Sequence, residues 1–172
     1  MTTKYGQSDA VALELVAALN DASPSFCLPV AAERKFARVR EIAAVSKIGE
    51  SVAVHVFPGA EQSEVSGISG VYDDTYAVHV LLQQNVTDTT SGGLSESQLA
   101  LLMKLRAEII EYVCARRMSC PDAVHPFSGA IVAKVAHGPE GVYDLARIES
   151  MNEFYSDVIF TYRAVGLRRR NG

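Results

Sequence analysis

Hydrophobic residues recur at helical spacing near the start of the chain, in the stripe Val11, Leu15, Ala18 and Leu19. Such a stripe is typical of an amphipathic helix that packs on a core. Ser8 and Asp9 precede it and are good helix-capping residues. We therefore predict a first helix from about Ser8 to Asn20, followed by an extended, partly irregular stretch over 26–36 and a short helical turn over 41–47.

The hydrophobic period changes to two at residues 51–57, which indicates a strand. Its two faces carry Val52, Val54 and Val56 on one side and Ala53, His55 and Phe57 on the other. A second strand is predicted over 72–83, with one face made of Tyr72, Tyr76, Val78, Val80 and Leu82. The polar segment 58–70 between the two strands is too long for a tight turn, so we expect a projecting loop there.

Residues 94–99 carry the clearest helix start in the chain. Ser95 and Gln98 form a capping box, and Leu94 and Leu99 form a hydrophobic staple. The helix should run to about Arg117, with a wide apolar arc made of Leu99, Leu101, Leu102, Met103, Leu105, Ile109, Ile110, Tyr112, Val113 and Cys114. A helix on a sheet needs an apolar arc of only about 100°. Either the first helix or a partner outside the domain therefore covers the excess.

Two further strands are predicted at 130–136 and 153–165. The last one alternates clearly, and its core face consists of Phe154, Val158, Phe160, Tyr162 and Ala164. The opposite face, with Tyr155, Asp157 and Arg163, is expected to be wet or in contact with a neighbour. The order of elements predicts a single α/β domain of the α+β type over 1–172, in which a mainly antiparallel sheet carries two helices on one face and has a long inter-strand loop.

Composition narrows the class of protein. The chain has 172 residues, 48% of them hydrophobic, which is enough for one folded domain. The net charge of −4 opposes a general attraction to nucleic acid or anionic lipid. No apolar run approaches the roughly 20 residues needed to span a bilayer. The three cysteines, an odd number without C-x-x-C spacing, indicate neither a disulfide framework nor a zinc knuckle.

Catalytic signatures such as a P-loop, G-x-S-x-G, G-x-G-x-x-G or H-E-x-x-H are absent from the sequence. His55 and His79 lie on strands that we expect to pair, but two ligands make a poor metal site, and a structural role is favoured. Asp73 and Asp74 are neighbours in a strand and point to opposite faces, so they cannot converge on one substrate. We therefore predict a protein without enzymatic activity, cofactor or metal.

The element order, together with two segments, resembles that of the tail terminator (tail completion) proteins of long-tailed bacteriophages. The first segment is the valine strand that ends in Phe57-Pro58-Gly59, and the second is Phe154-Tyr-Ser-Asp-Val-Ile-Phe-Thr-Tyr-Arg163. The resemblance covers most of the chain. It implies a virion protein, assembled in the bacterial cytoplasm and located at the phage neck, that forms a ring, usually a hexamer. The ring would stop tail-tube polymerisation and join the tail to the head connector.

The same resemblance implies contacts with other copies, with the major tail tube protein and with the head-closure or connector protein, while DNA passes the channel without specific binding and no membrane is involved. The long helix, the polar face of the last strand and the loops 58–70 and 84–93 become contact candidates. The individual candidates are Glu61, Glu64, Val65, Ile68, Thr87, Asp88, Arg106, Tyr155, Asp157, Arg163, Arg168 and Arg169. The last two belong to the basic end of the chain, 167–172, which reads either as a frayed, solubilising tail or as a contact with an acidic neighbour or DNA.

Two alternatives remain at this point. A head-closure or other neck-ring subunit would share these traits. From a different class, a small cytosolic enzyme or ligand-binding domain with an unrecognised site would also fit the composition.

Overall fold

The computed structural model describes residues 5–36, 45–65 and 71–167. Within these ranges the chain forms three α-helices and one six-stranded sheet. The elements in chain order are α1 (Gln7–Ala22), β1 (Val30–Arg34), β2 (Val52–Val65), β3 (Val71–Asn85), α2 (Glu96–Cys114), β4 (Met118–Cys120), β5 (Phe127–His137), α3 (Leu145–Met151) and β6 (Glu153–Leu167). A short 3₁₀ turn at Ser23–Ser25 follows α1.

The strands are arranged in the order β1-β2-β3-β6-β5-β4. Only β1 and β2 run parallel; the other neighbours are antiparallel. The centre of the sheet is the pairing of β3 with β6, which continues in register from Val71↔Leu167 to Asn85↔Glu153. The predicted α+β class with a mainly antiparallel sheet is confirmed.

One main core lies between the sheet and the helices α1 and α2. The predicted core faces of β2, β3 and β6 are buried there, as the complete exclusion of Val54, Val78 and Phe160 from solvent illustrates. The two helices lie side by side, since the Tyr112 hydroxyl of α2 donates to the Ala18 carbonyl of α1. Placing both helices on one face was therefore correct.

The wide apolar arc of α2 is mostly covered within the domain. Leu102, Leu105 and Ile109 are fully buried, and a second group packs against the same core while partly exposed: Leu99, Met103, Ile110 and Tyr112. Leu101 remains 39% exposed. The surplus apolar surface expected from the sequence is thus small, because α1 and the 26–28 segment cover it, as the edge-on contact of Phe26 with Tyr112 illustrates.

The two helix starts differ in how well they could be predicted. Ser95 caps α2, and its Oγ accepts the Gln98 N–H as expected. The helix ends at Cys114, three residues before the predicted end. At α1 the expected Ser8 or Asp9 cap is wrong, because the helix already begins at Gln7 after Gly6.

The segment 58–70 differs most from its prediction. Residues 58–65 continue β2 and pair with the predicted strand β3, from Pro58↔Val78 to Val65↔Tyr72, so most of the expected loop is one strand of a β-hairpin. Residues 60–64 of β2 are exposed on both faces, and the hydrophobic alternation by which strands are recognised is missing there. Ile68 lies outside the described residues, as do Arg168 and Arg169 and most of the helical turn predicted over 41–47.

Three elements have no counterpart in the sequence prediction: the parallel strand pairing of β1, the short β4 and the helix α3. Of these, α3 has capping residues that could have been recognised in the sequence. Asp144 caps its start by accepting the Arg147 N–H, and Asn152 closes its end in the left-handed conformation with φ of 50°.

Candidate protein-contact surfaces

The hairpin end, defined here as residues 60–65 of β2 with 71–76 of β3, is exposed along β2, while Asp74 and Tyr76 of β3 are buried. Residues 60–64 are all exposed. A bulge between Pro58 and Glu61 separates this end from the helix-covered part of the strands. Gly59 lies in the bulge, and a Cβ there would be 2.8 Å from the Ala77 carbonyl oxygen. Glycine thus allows the two backbones to approach closely where the hairpin leaves the body.

An ion pair lies on one face of the hairpin end. Arg163 of β6 donates to both carboxylate oxygens of Asp73, at distances of 2.5 to 3.1 Å. These hydrogen bonds and the Arg163 charge hold the pKa of Asp73 below its ordinary value. Glu64 is directly opposite Asp73 in the hairpin and brings a second negative charge to the same face. A hollow of about 130 Å³ between these side chains is lined by Gln62, Glu64, Asp73, Thr75 and Arg163.

A second hollow, of about 280 Å³, lies on the other side of Arg163. Its lining includes Arg117 and two apolar side chains, Ile131 and Val165, which are 49% and 61% exposed. Ile131 pairs with Arg163 across β5 and β6, so the apolar residues flank the guanidinium. Charged and apolar groups side by side on an exposed sheet face are typical of a surface that contacts another protein.

Glu61 is used within the domain. Its Oε1 accepts the Ser8 N–H at 2.7 Å, in the first turn of α1. The free N–H groups of a helix start attract an acceptor and a negative charge. Glu61 therefore does for α1 what Ser8 was expected to do, and it ties the hairpin to the helix. Val65 pairs through its backbone with Tyr72.

The loop after β3 is compact. Asp88 Oδ1 accepts the N–H groups of Thr90 and Ser91, and these backbone hydrogen bonds lower the pKa of Asp88. Thr87 forms an isolated bridge with Leu94. Thr87 and Asp88, the two contact candidates of this loop, are thus held in place. Residues 89–94 of the same turn are exposed.

Tyr155 and Asp157 are buried, although the face of β6 that carries them was expected to be wet or in contact with a neighbour. The Arg147 guanidinium of α3 covers the Tyr155 ring at 4.1 Å from its centre. Asp157 accepts from His79 Nδ1 at 3.1 Å, and Gly138 lies so close that a Cβ there would be 2.8 Å from Asp157 Cβ. The segment after β5 and α3 therefore cover this part of the sheet, which sequence alternation alone does not reveal.

Arg106 is also buried, with 6% of its surface exposed. Nε donates to Ser156 Oγ at 2.9 Å, and Nη2 is 2.5 Å from His137 Nδ1. Ser156 Oγ donates in turn to the Val142 carbonyl. Arg106 thus connects α2 to β6 and to the segment that follows β5.

The histidine pair considered from the sequence does not form one site. Nδ1 of buried His55 is 3.2 Å from Glu33 Oε1 but without hydrogen-bond alignment, whereas His79 pairs with Asp157. Burial lowers the pKa of His55, and the Glu33 charge opposes this in part. Within the described ranges, no three His, Cys, Asp or Glu side chains come together as a metal site would require. Every helix in the described part of the chain is too short or too polar to cross a bilayer.

No family model matches the chain, and no curated protein matches it significantly. Solved structures with a similar backbone include a chain described as "Virion of native gene transfer agent (GTA) particle". The two chains are 14% identical, the match covers 94% of this chain and 96% of that one, and the TM-score is 0.45. A similarity of this size assigns no function.

Proposed function

We propose that the protein is a structural virion subunit that forms a ring at the head-proximal end of a phage tail, caps the tail tube, ends its polymerisation and joins the tail to the head connector. The observation that carries the proposal is the order of elements on which the resemblance rests. In the structure, the valine strand, the long β3 and the final strand with its Phe154–Arg163 sequence lie side by side as β2-β3-β6. The N-terminal and the long helix cover one face of these strands.

Surface features agree with this role. A closed ring of identical subunits needs two different surfaces on each copy, because each interface is formed head to tail. The hairpin end with the Asp73–Arg163 pair is one exposed surface, and the groove beside Ile131 and Val165 adjoins it. The free edge of β5 beyond Ala130 is a second exposed surface, since β4 pairs only with the first residues of β5.

Charge also agrees with a channel through which DNA slides. The net charge of the subunit is −4. A mildly acidic lining repels the phosphate backbone, so DNA would pass without being gripped. We assign contacts with the tube and the connector to the hairpin end and to the loop at 87–94.

Deletion of the gene from the phage tests the proposal. We expect filled heads next to unattached tails of abnormal length in electron micrographs, with normal particles restored by the gene in trans. Unattached tails of uniform, normal length would instead indicate a head-closure or other neck subunit. Intact particles that lack only infectivity would contradict any role in joining head and tail.

A further inference from the structure

Arg106 has no acidic partner within the described part of the chain. Its hydrogen-bond partners are Ser156 and His137, and neither side chain carries a negative charge. No carboxylate of the described residues forms an ion pair with the guanidinium. Buried charges are nearly always paired, since removing an ion from water is costly. Arg106 is thus a buried cation that lacks a counter-charge.

The guanidinium of Arg106 can be reached from outside. Its third nitrogen, Nη1, makes no hydrogen bond in the described residues, yet it is not one of the polar atoms sealed from solvent without a partner. His137, which touches Nη2, is exposed. The free N–H groups of Nη1 therefore lie directly below the surface, where an incoming acceptor can bind them.

Glu64 is the opposite case, an exposed carboxylate that has no cationic partner among the described residues. It forms no ion pair or hydrogen bond in the described residues and is held directly opposite Asp73, which already takes the charge of Arg163. Two like charges across a strand pair destabilise it. A second cation at Glu64 would relieve this repulsion.

These two unpaired charges cannot meet within one chain. Arg106 binds Ser156, whereas Glu64 lies beside Asp73, which pairs with Val165. Ser156 and Val165 are separated by nine residues of β6, a distance of about 30 Å at the usual rise of a strand. The anion and the cation therefore lie near opposite ends of the sheet, an arrangement that a head-to-tail contact between copies can use.

We propose that Arg106 is a receptor for a carboxylate of a second copy of this chain, and that Glu64 on the hairpin end of the neighbour supplies it. The inference rests on the proposed ring, in which a repeating head-to-tail contact satisfies both charges on every copy. In the contact, Glu64 accepts from Nη1 of Arg106 while Ser156 and His137 hold the guanidinium in place. Charge-assisted hydrogen bonds of this kind are the strong ones in interfaces.

Sedimentation velocity of the purified full chain over a concentration series tests the inference. It measures self-association, so no partner other than further copies of the chain is present. The variants are Arg106→Gln, Glu64→Gln and the double variant, all of which remove charge and keep a polar side chain. Lys47→Gln and Glu111→Gln are matched controls, because both residues are exposed and take part in no ion pair of the described residues. Thermal unfolding of each variant checks that the fold is intact.

We expect each of the two single variants to weaken self-association at least tenfold, and the double variant to be no weaker than either alone, because both remove the same interaction. The controls should associate like the parent. Equal association of the parent and Glu64→Gln, or additive losses in the double variant, would overturn the Arg106–Glu64 contact and leave the ring intact. A parent that stays monomeric at every concentration would overturn both the contact and a ring that forms by itself.

Discussion

The side-chain amide of Asn20 makes two hydrogen bonds with the backbone of Ala32: Nδ2 donates to its carbonyl and Oδ1 accepts its N–H. Two residues earlier in the strand, Ser23 does the same for Val30 through its hydroxyl. Since β1 is the outermost strand, these side chains occupy the backbone groups to which another strand would bind. The end of α1 thus closes this edge of the sheet, and the opposite edge at β5 stays open.

Replacement of Asn20 by alanine should therefore lower stability and promote aggregation. Two hydrogen bonds are lost, each worth about 0.5 to 1.5 kcal/mol, with the exposed position favouring the lower end. Thermal unfolding followed by light scattering measures both effects. Asp21→Ala, at an exposed neighbour without these bonds, is the control. An Asn20→Ala protein that melts and scatters like the parent would show that the edge needs no closure.

The close approach at the hairpin bulge gives a second prediction. Gly59→Ala would place a methyl group 2.8 Å from the Ala77 carbonyl oxygen, a backbone atom that cannot turn away. We expect a loss of about 1 to 3 kcal/mol in the free energy of unfolding, the usual cost of overpacking. Gly93→Ala is the control, since its nearest neighbour is the flexible Ser91 hydroxyl at 3.6 Å. Equal stability of the two variants would show that the backbones at Gly59 and Ala77 do not approach each other this closely.

The sequence alone predicts the buried half of this fold well. Where one face of an element packs on the main core, as at Val52, Val54 and Val56, the period of apolar residues identifies the element and its orientation. The Ser95 cap fixes the start of α2 in the same local way. These signals are properties of short segments, so no knowledge of the tertiary structure is needed.

What could not be predicted depends on neighbours far along the chain. Residues 60–64 lack a buried face and were taken for a loop, whereas 72–76 on the opposite strand were predicted as strand. Asp157 is buried only because the segment around Gly138 crosses it, and Glu61 caps α1 from 53 positions away in the sequence. Of the contact candidates, Glu64 and Arg163 lie on exposed surface as expected, whereas Arg106 is buried. The sequence does not reveal that burial.

The ion pair at the hairpin end predicts a selective change in a carboxyl pKa. In Arg163→Gln, the pKa of Asp73 should rise to its ordinary range, because the hydrogen bonds and charge that lower it are gone. The pKa of Asp88 should stay low, because backbone N–H groups lower it. NMR titration of the side-chain carboxyl carbons measures both. A depressed pKa favours the folded state above the ordinary pKa, so the stability difference between parent and variant should shrink as the pH falls through the folded value. Unchanged titration of Asp73 would contradict the pair.

Burial of His55 predicts a sensitivity to acid. Its pKa is lowered, so below about pH 6.5, the ordinary histidine value, the unfolded chain takes up a proton before the folded one does. Stability should therefore fall as the pH drops from that point, with Glu33 nearby limiting the loss and Lys35 adding to it. In His55→Gln the decline between pH 6.5 and the folded pKa should be smaller than in the parent. His125→Gln, at an exposed histidine, should retain the parent profile, and identical profiles for all three proteins would exclude His55 as the cause.

The position of the protein in the virion tests the central claim most directly. An epitope or gold label on the chain, imaged on intact particles by electron microscopy, should appear once per particle at the junction of head and tail. A label at the tail tip, or repeated along the whole tube, would contradict a ring that ends the tube on its head-proximal side.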